Sequence, residues 1–198
     1  MPSPIGHVMA GIAVAWTADL IPGQRAWRVA PESASRFRRA GGGLTLICGA
    51  LAVAPDLDLL FGGHRAMTHS LAAVIFVWLF AAAMAANAER PIMRVSLMCA
   101  AAYGTHLLLD LLGVDRIPPH GIQILWPLNH DWFISGIDVF RQTERRSILS
   151  APSMLQNVKA IAQELFVLGP LLVALWLVRV KALAGLSSEV TGGDHPSQ

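Results

Sequence analysis

The sequence predicts an all-α fold, an integral membrane helical bundle of about four to five hydrophobic helices with a loop region on its outer face. Three observations carry this. Of the 198 residues, 54% are apolar and only 14% charged, where a soluble domain carries about 25% charge. The mean hydropathy is +0.52. The apolar residues are gathered into runs, separated by stretches rich in Arg, Pro and Trp.

The clearest spanning segment is residues 70–88, which holds no charge and at ~1.5 Å rise per residue nearly covers a ~30 Å hydrocarbon core. Residues 95–114 form a second candidate, apolar except for His106 and Asp110. Residues 165–178 form a third; 160–163 can lengthen it, and Pro170 should kink it. Residues 5–21 and 44–54 are shorter, and their Gly and Ala content suits close packing on neighbouring helices. Residues 22–43 and 115–159 are too polar to span. Residues 1–185 are expected to form one membrane-embedded domain. The Ser/Gly-rich stretch 186–198 reads as a disordered tail. No Lys or Arg precedes the first apolar stretch and no small-residue cleavage site follows it, so the N-terminus is expected to be retained.

The formal net charge of +2 gives no reason to expect a nucleic-acid partner. The placement of the basic residues is more informative. If residues 22–43 are cytoplasmic, alternation puts 89–94 and the segment after 178 on the same side, and these three regions hold nine of the fifteen Lys and Arg. The expected topology is therefore N-terminus outside and C-terminus cytoplasmic. Cys48 and Cys99 lie inside apolar runs and read as buried reduced thiols.

Ionisable groups in or beside apolar helices are costly, about 2.5–3.5 kcal/mol for an Asp near mid-span, so they need a partner or a task. Here they are His7, Asp56, Asp58, His69, His106 and Asp110, with His64 and Arg65 nearby. In the five-helix reading all six fall at one face of the bundle, although they are spread over a hundred residues. His106 and Asp110 are i and i+4 on one helix face. Such a pair either shares a divalent ion or forms a hydrogen-bonded brace between helices. Asp56 and Asp58 follow Pro55, so one can ligate while the other orients an imidazole. Thr68 or Ser70 is placed to cap the third helix and fix His69 at its start. Arg65 is a candidate to hold a phosphate oxygen, or an ordinary interfacial Arg. A His and Asp set favours Zn, Mn or Fe over Ca or Mg. In the outer loop, His120, His130 and Asp131 read as exposed. The run at 121–128, GIQILWPL, reads as an interfacial lid or as packing on the helices.

At these residues the chain resembles a known family. His7, the PDLD at 55–58, the HRAMTHS at 64–70, the HLLLD at 106–110 and the GIQILWPL at 121–128 are similar to the YdjM family of bacterial inner-membrane proteins, described as predicted metal-dependent hydrolases. The resemblance covers residues 1–133. The order of the ligands is also similar, more distantly, to zinc-dependent phospholipase C and the single-strand-specific zinc nucleases. That likeness implies His7, Asp56 or Asp58, His69, His106 and Asp110 as ligands of one or two ions, most simply zinc. The chain departs from those enzymes in having no later His pair for a further zinc. The resemblance implies a membrane-bound hydrolase of a phosphoester or other ester, with a lipid among the candidate substrates and Asp58 and Arg65 as candidate catalytic groups. A metal that only braces the helices, or a metal-handling protein, is the other reading.

Overall fold

Each apolar run folds as a helix. A computed structural model describes residues 1–21, 41–61, 65–145 and 147–192. The Arg-rich stretch up to residue 40, His64 and residues 193–198 lie outside the described residues. Among the described residues there are five α-helices: α1 (Pro4–Ala18), α2 (Gly43–Leu51), α3 (Leu71–Asn87), α4 (Ile92–Leu111) and α5 (Ala151–Gly192). Two 3-10 segments, Ala54–Phe61 and Met67–His69, join α2 to α3. No strand is present among the described residues; two isolated bridges, Gly113 to Phe140 and Ile122 to Phe133, pin the loop after α4.

Local chemistry sets the helix starts. The Ser3 side chain accepts from the Gly6 N–H, and a proline stands in the first turn of α1, where a missing N–H costs nothing. Ser70 accepts from the Ala73 N–H at 3.2 Å and caps α3, one of the two capping roles expected. Ser150 accepts from the Ser153 N–H at 3.4 Å at the start of α5.

The last helix departs from expectation. It starts at Ala151, inside the stretch read as too polar, and it runs to Gly192, over residues 186–192 of the expected tail. Its first turns are polar for a reason. Gln156 and Asn157 bond the loop backbone at Gln142 and Glu144 instead of breaking the helix. Pro170 lies within it.

Two of the helices, over Ile92–Leu111 and Ala151–Ala182, are long and apolar enough to cross a membrane. The segment expected to span most clearly folds as the 17-residue α3, about 25 Å long at ~1.5 Å per residue. It and α1 are apolar but shorter than those two.

α1 packs against α2, α4 and α5, and α3 packs against α4. A Cβ on Gly11 of α1 would lie 2.4 Å from the Cys48 carbonyl oxygen of α2, so these helices meet backbone to backbone through the small residues that suit such contact. Cys48 and Cys99 are buried thiols that form no disulfide among the described residues, as expected. At one end of the bundle Met1, Tyr103, Leu107 and Ile122 form a core cluster. Near the other end the Asp19 carboxylate pairs with Arg94 of α4 and with Arg179 of α5, all three buried.

Almost none of the apolar stretch of α5 is buried within the protein. Phe166, Leu171, Val173 and Leu177 stand exposed, as do Phe76, Leu79 and Phe80 of α3. In water such faces would be a large exposed apolar patch; in lipid they are matched to their solvent.

Candidate metal centre

The six His and Asp residues singled out in the sequence come from four places in the chain and meet at one end of the bundle. His7 lies in the first turns of α1, Asp56 and Asp58 in the 3-10 segment after α2, His69 just before α3, and His106 and Asp110 in the last turns of α4. His7, His69 and His106 are fully buried, and Asp110 is 1% exposed.

Two overlapping groups have ligand atoms within 4.8 Å of one another: His7, Asp56 and His106, and His69, His106 and Asp110. His69 Nε2 and His106 Nε2 are 3.1 Å apart. Asp110 Oδ2 lies 3.3 Å from His106 Nε2 and 3.5 Å from His69 Nε2, and Asp110 Oδ1 lies 3.5 Å from His7 Nε2. Asp56 Oδ1 is 3.8 Å from both His69 Nε2 and His106 Nε2. The His7 ring stacks on His106 at 3.8 Å.

The partners of the remaining nitrogens fix what each imidazole offers. His106 Nδ1 is 2.8 Å from the Ala52 carbonyl oxygen, which only accepts, so Nδ1 carries the proton and Nε2 has a lone pair. The Thr68 hydroxyl donates to Asp58 Oδ2 at 2.6 Å. Its oxygen, 3.0 Å from His69 Nδ1, is then an acceptor, so His69 also presents Nε2 to the centre. Two lone pairs facing each other at 3.1 Å repel unless a cation lies between them. Without a metal that cation is a proton. Burial disfavours the charged form of His69, but its contacts with Asp56 and Asp58 outweigh burial and raise its pKa to about 9.

The donor set also fits a metal ion. Two nitrogens that ligate one ion at ~2.0–2.1 Å sit no more than about 4 Å apart, and the 3.1 Å separation satisfies this. Both ring nitrogens of His7 and both oxygens of Asp110 are buried with no hydrogen-bond partner among the described residues. Such orphaned polar groups are expensive, and a bound cation would satisfy them.

The two Asp residues of the PDLD run divide as one of the sequence readings allowed. Asp56 faces the imidazole Nε2 atoms, whereas Asp58 lies 3.3 Å from His69 Nδ1 and is held by Thr68 and by the Arg65 N–H at 3.2 Å. The Arg65 guanidinium meets the Asp115 carboxylate and the Ile117 carbonyl, with the Trp132 ring 5.8 Å away. Asp115 also accepts from the Ile117 and Gly121 N–H groups. That pair organises the loop, and it would have to open for Arg65 to meet a phosphate.

His120, His130 and Asp131 are exposed, as expected. The run 121–128 is split: Ile122 is fully buried, while Leu128 is 93% exposed. Gly121 has φ +92, and a Cβ there would lie 2.0 Å from the Phe133 carbonyl oxygen, so only glycine fits this turn.

Two residues near the centre were missed. Glu164 of α5 is fully buried and accepts from the Ser3 and Gly6 N–H groups and the Ser3 hydroxyl, which ties α5 to the start of α1. The cost of an ionisable group in an apolar run, the argument that selected Asp110, would have found it. Arg145 lies 3.3 Å from Asp56 Oδ1, and no sequence signal distinguished it within the polar stretch.

Fold and site together define an all-helical protein of membrane type with a buried His and Asp group able to hold a metal ion. The chain belongs to the YdjM inner membrane protein family, whose model matches residues 1–184, well beyond the 1–133 in which its motifs are legible. Neither a curated protein nor a solved structure matches the chain.

Proposed function

We propose that this protein is a membrane-bound, metal-dependent hydrolase that cleaves a phosphoester or other ester at the end of its helix bundle, with a lipid as one possible source of that ester. The observation that carries the reading is the convergence of three imidazoles and two carboxylates, drawn from four separate segments, on one buried centre. In this reading His7, Asp56, His69, His106 and Asp110 ligate a divalent ion, with zinc the best match to nitrogen and carboxylate donors. One ion is favoured over two: both groups need His106, and its Nδ1 is committed to Ala52. A bound ion supplies Lewis acidity toward an ester oxygen and toward water. Asp58 and Thr68 hold His69 in the tautomer that presents Nε2. Arg65 and Asp115 set the loop over the start of α3.

The complete burial of the three imidazoles supports a second reading, in which the ion only braces the helices. Mild chelation separates the two. A catalytic ion should leave with hydrolysis lost and helix content kept, and activity should return on adding Zn2+. A chelated protein that unfolds, with no turnover before or after, would favour the brace.

The same reading takes the described helices as one membrane-embedded bundle, with the centre at the outer face of the inner membrane, the N-terminus outside and the C-terminus cytoplasmic. Reporter fusions at the C-terminus and after Gly43 should both read as cytoplasmic. A periplasmic signal from the C-terminal fusion would reverse the orientation.

A further inference from the structure

Apart from the metal centre, a cleft of about 520 Å3 opens where α5 begins. Its walls are the loop at Val114 and Arg116, the loop at Arg141 and Gln142, and the first turns of α5 from Pro152 to Lys159. Arg116, Arg141 and Lys159 all line it, and among the described residues no carboxylate does. All three are exposed, and none of them enters an ion pair among the described residues. The acids nearest in sequence are engaged elsewhere: Asp115 meets Arg65, and Glu164 is buried against Ser3 and Gly6.

The walls are bonded to one another, so the three cations are held on one fixed frame. The Val114 N–H donates to the Phe140 carbonyl at 2.8 Å, and the Arg116 N–H donates to Gln142 Oε1 at 2.9 Å. Gln156 Nε2 donates to the Gln142 carbonyl at 3.1 Å, and the Arg141 N–H donates to Gln163 Oε1 at 3.0 Å. A single Lys or Arg at a membrane surface extends its charge into water. Three that line one cleft repel one another, and an anion between them offsets that repulsion. A backbone fixed in advance also lowers the ordering cost of binding.

The surroundings of the cleft select the anion. Leu155 lines it and is 55% exposed. Phe166, two turns beyond Lys159 and on the same side of α5, is 80% exposed. The cleft therefore stands at the head of the apolar face that α5 turns away from the bundle. We propose that it holds the phosphate headgroup of an anionic phospholipid of the surrounding bilayer, with an acyl chain against Leu155 and Phe166. A basic pocket beside a membrane helix suits such a headgroup, and Arg matches phosphate in geometry and in charge. A free phosphate would meet the same cations but gain nothing from the apolar face. The inference is independent of the metal reading and rests on the membrane-embedded reading of α5 given above.

The test uses the full chain in uncharged detergent. Dihexanoyl phosphatidylglycerol, dihexanoyl phosphatidylcholine and inorganic phosphate are titrated into three proteins. These are wild type, the cleft pair Arg141→Gln with Lys159→Gln, and a control pair, Arg90→Gln with Lys181→Gln, which removes the same charge from exposed positions outside the cleft. Helix content should be equal in all three, because only exposed side chains change. Wild type should bind phosphatidylglycerol more tightly than either other probe. The cleft pair should bind it about tenfold or more weakly, the scale of two lost cation–phosphate contacts, and the control pair as wild type does. Arg116→Gln, on the opposite wall, should weaken it by a smaller factor, and it keeps the test intact should the cleft pair lose helix content. Equal phosphatidylglycerol affinity in wild type and the cleft variants overturns the site. Equal weakening in the control pair assigns the effect to net charge and also overturns it. Phosphatidylcholine bound as tightly as phosphatidylglycerol removes the anionic headgroup, and inorganic phosphate bound as tightly removes the lipid; either result ends the proposal.

Discussion

Replacing His69 and His106 together by alanine should strip the protein of its metal. Wild type purified in detergent without chelator should carry about one divalent ion per chain, and the double variant should fall to background by elemental analysis. The effect should be large because the two Nε2 atoms, 3.1 Å apart, are the closest pair of donors in the centre. Losing even a group that merely orients a ligand costs about 10–100-fold in affinity, and here two ligands go. Both side chains are fully buried, so the double variant also leaves cavities. His106→Gln serves as the control, since it keeps most of the volume and an amide N–H for the Ala52 carbonyl. It should keep its helix content and still lose most of the ion. Unchanged metal content in the double variant would sink the assignment.

The sequence revealed the candidate centre more fully than the fold around it, and the reason is energetic. A His or Asp in an apolar run is conspicuous because burying it without a partner is costly. His7, His69, His106 and Asp110 are the residues that cost most, and all four converge. What each carboxylate of the PDLD run does was not legible. Asp56 and Asp58 are two residues apart in a 3-10 segment, and it takes the placement of Thr68 and the Arg65 N–H on Asp58 to show which one faces the Nε2 atoms. Arg145 was invisible for the opposite reason: in a polar stretch an arginine is cheap, and nothing marks the one that reaches Asp56. The start of α5 was lost to averaging. Gln156, Asn157 and Lys159 lower the local hydropathy, although the first two are spent on the loop backbone and leave the helix intact. Asp19, Arg94 and Arg179 satisfy the same cost criterion as Asp110. They pair near the far end of the bundle, where the criterion finds a brace instead of a centre, so cost alone does not separate the two outcomes. The separating observation is the carboxylate: Asp19 has both oxygens bonded, to Arg94 and Arg179, whereas among the described residues neither oxygen of Asp110 has a hydrogen-bond partner.

That distinction makes Asp110→Asn the sharpest single substitution. Asn keeps the size and one acceptor oxygen, removes the charge, and adds two N–H donors. Asp110 faces all three imidazoles, at 3.3 Å from His106 and 3.5 Å from His7 and His69. An amide is a poor ligand for a divalent ion, so the variant should bind metal at least about tenfold more weakly. Its hydrolytic turnover, if the centre is catalytic, should fall with the metal. The helix itself should survive, because Asn costs at most about 0.7 kcal/mol in intrinsic propensity, and removing a charge from an apolar span eases its insertion. The hypothesis therefore predicts a protein that accumulates and keeps its helices while losing ion and activity together. If Asp110 only braces the imidazoles, the pairing is reversed. Asn would then lower the melting temperature in detergent, and the fraction that remains folded would turn over substrate as wild type does. Metal content, melting temperature and turnover measured on one preparation separate the two, and a variant with full turnover and reduced stability would remove Asp110 from the catalytic centre.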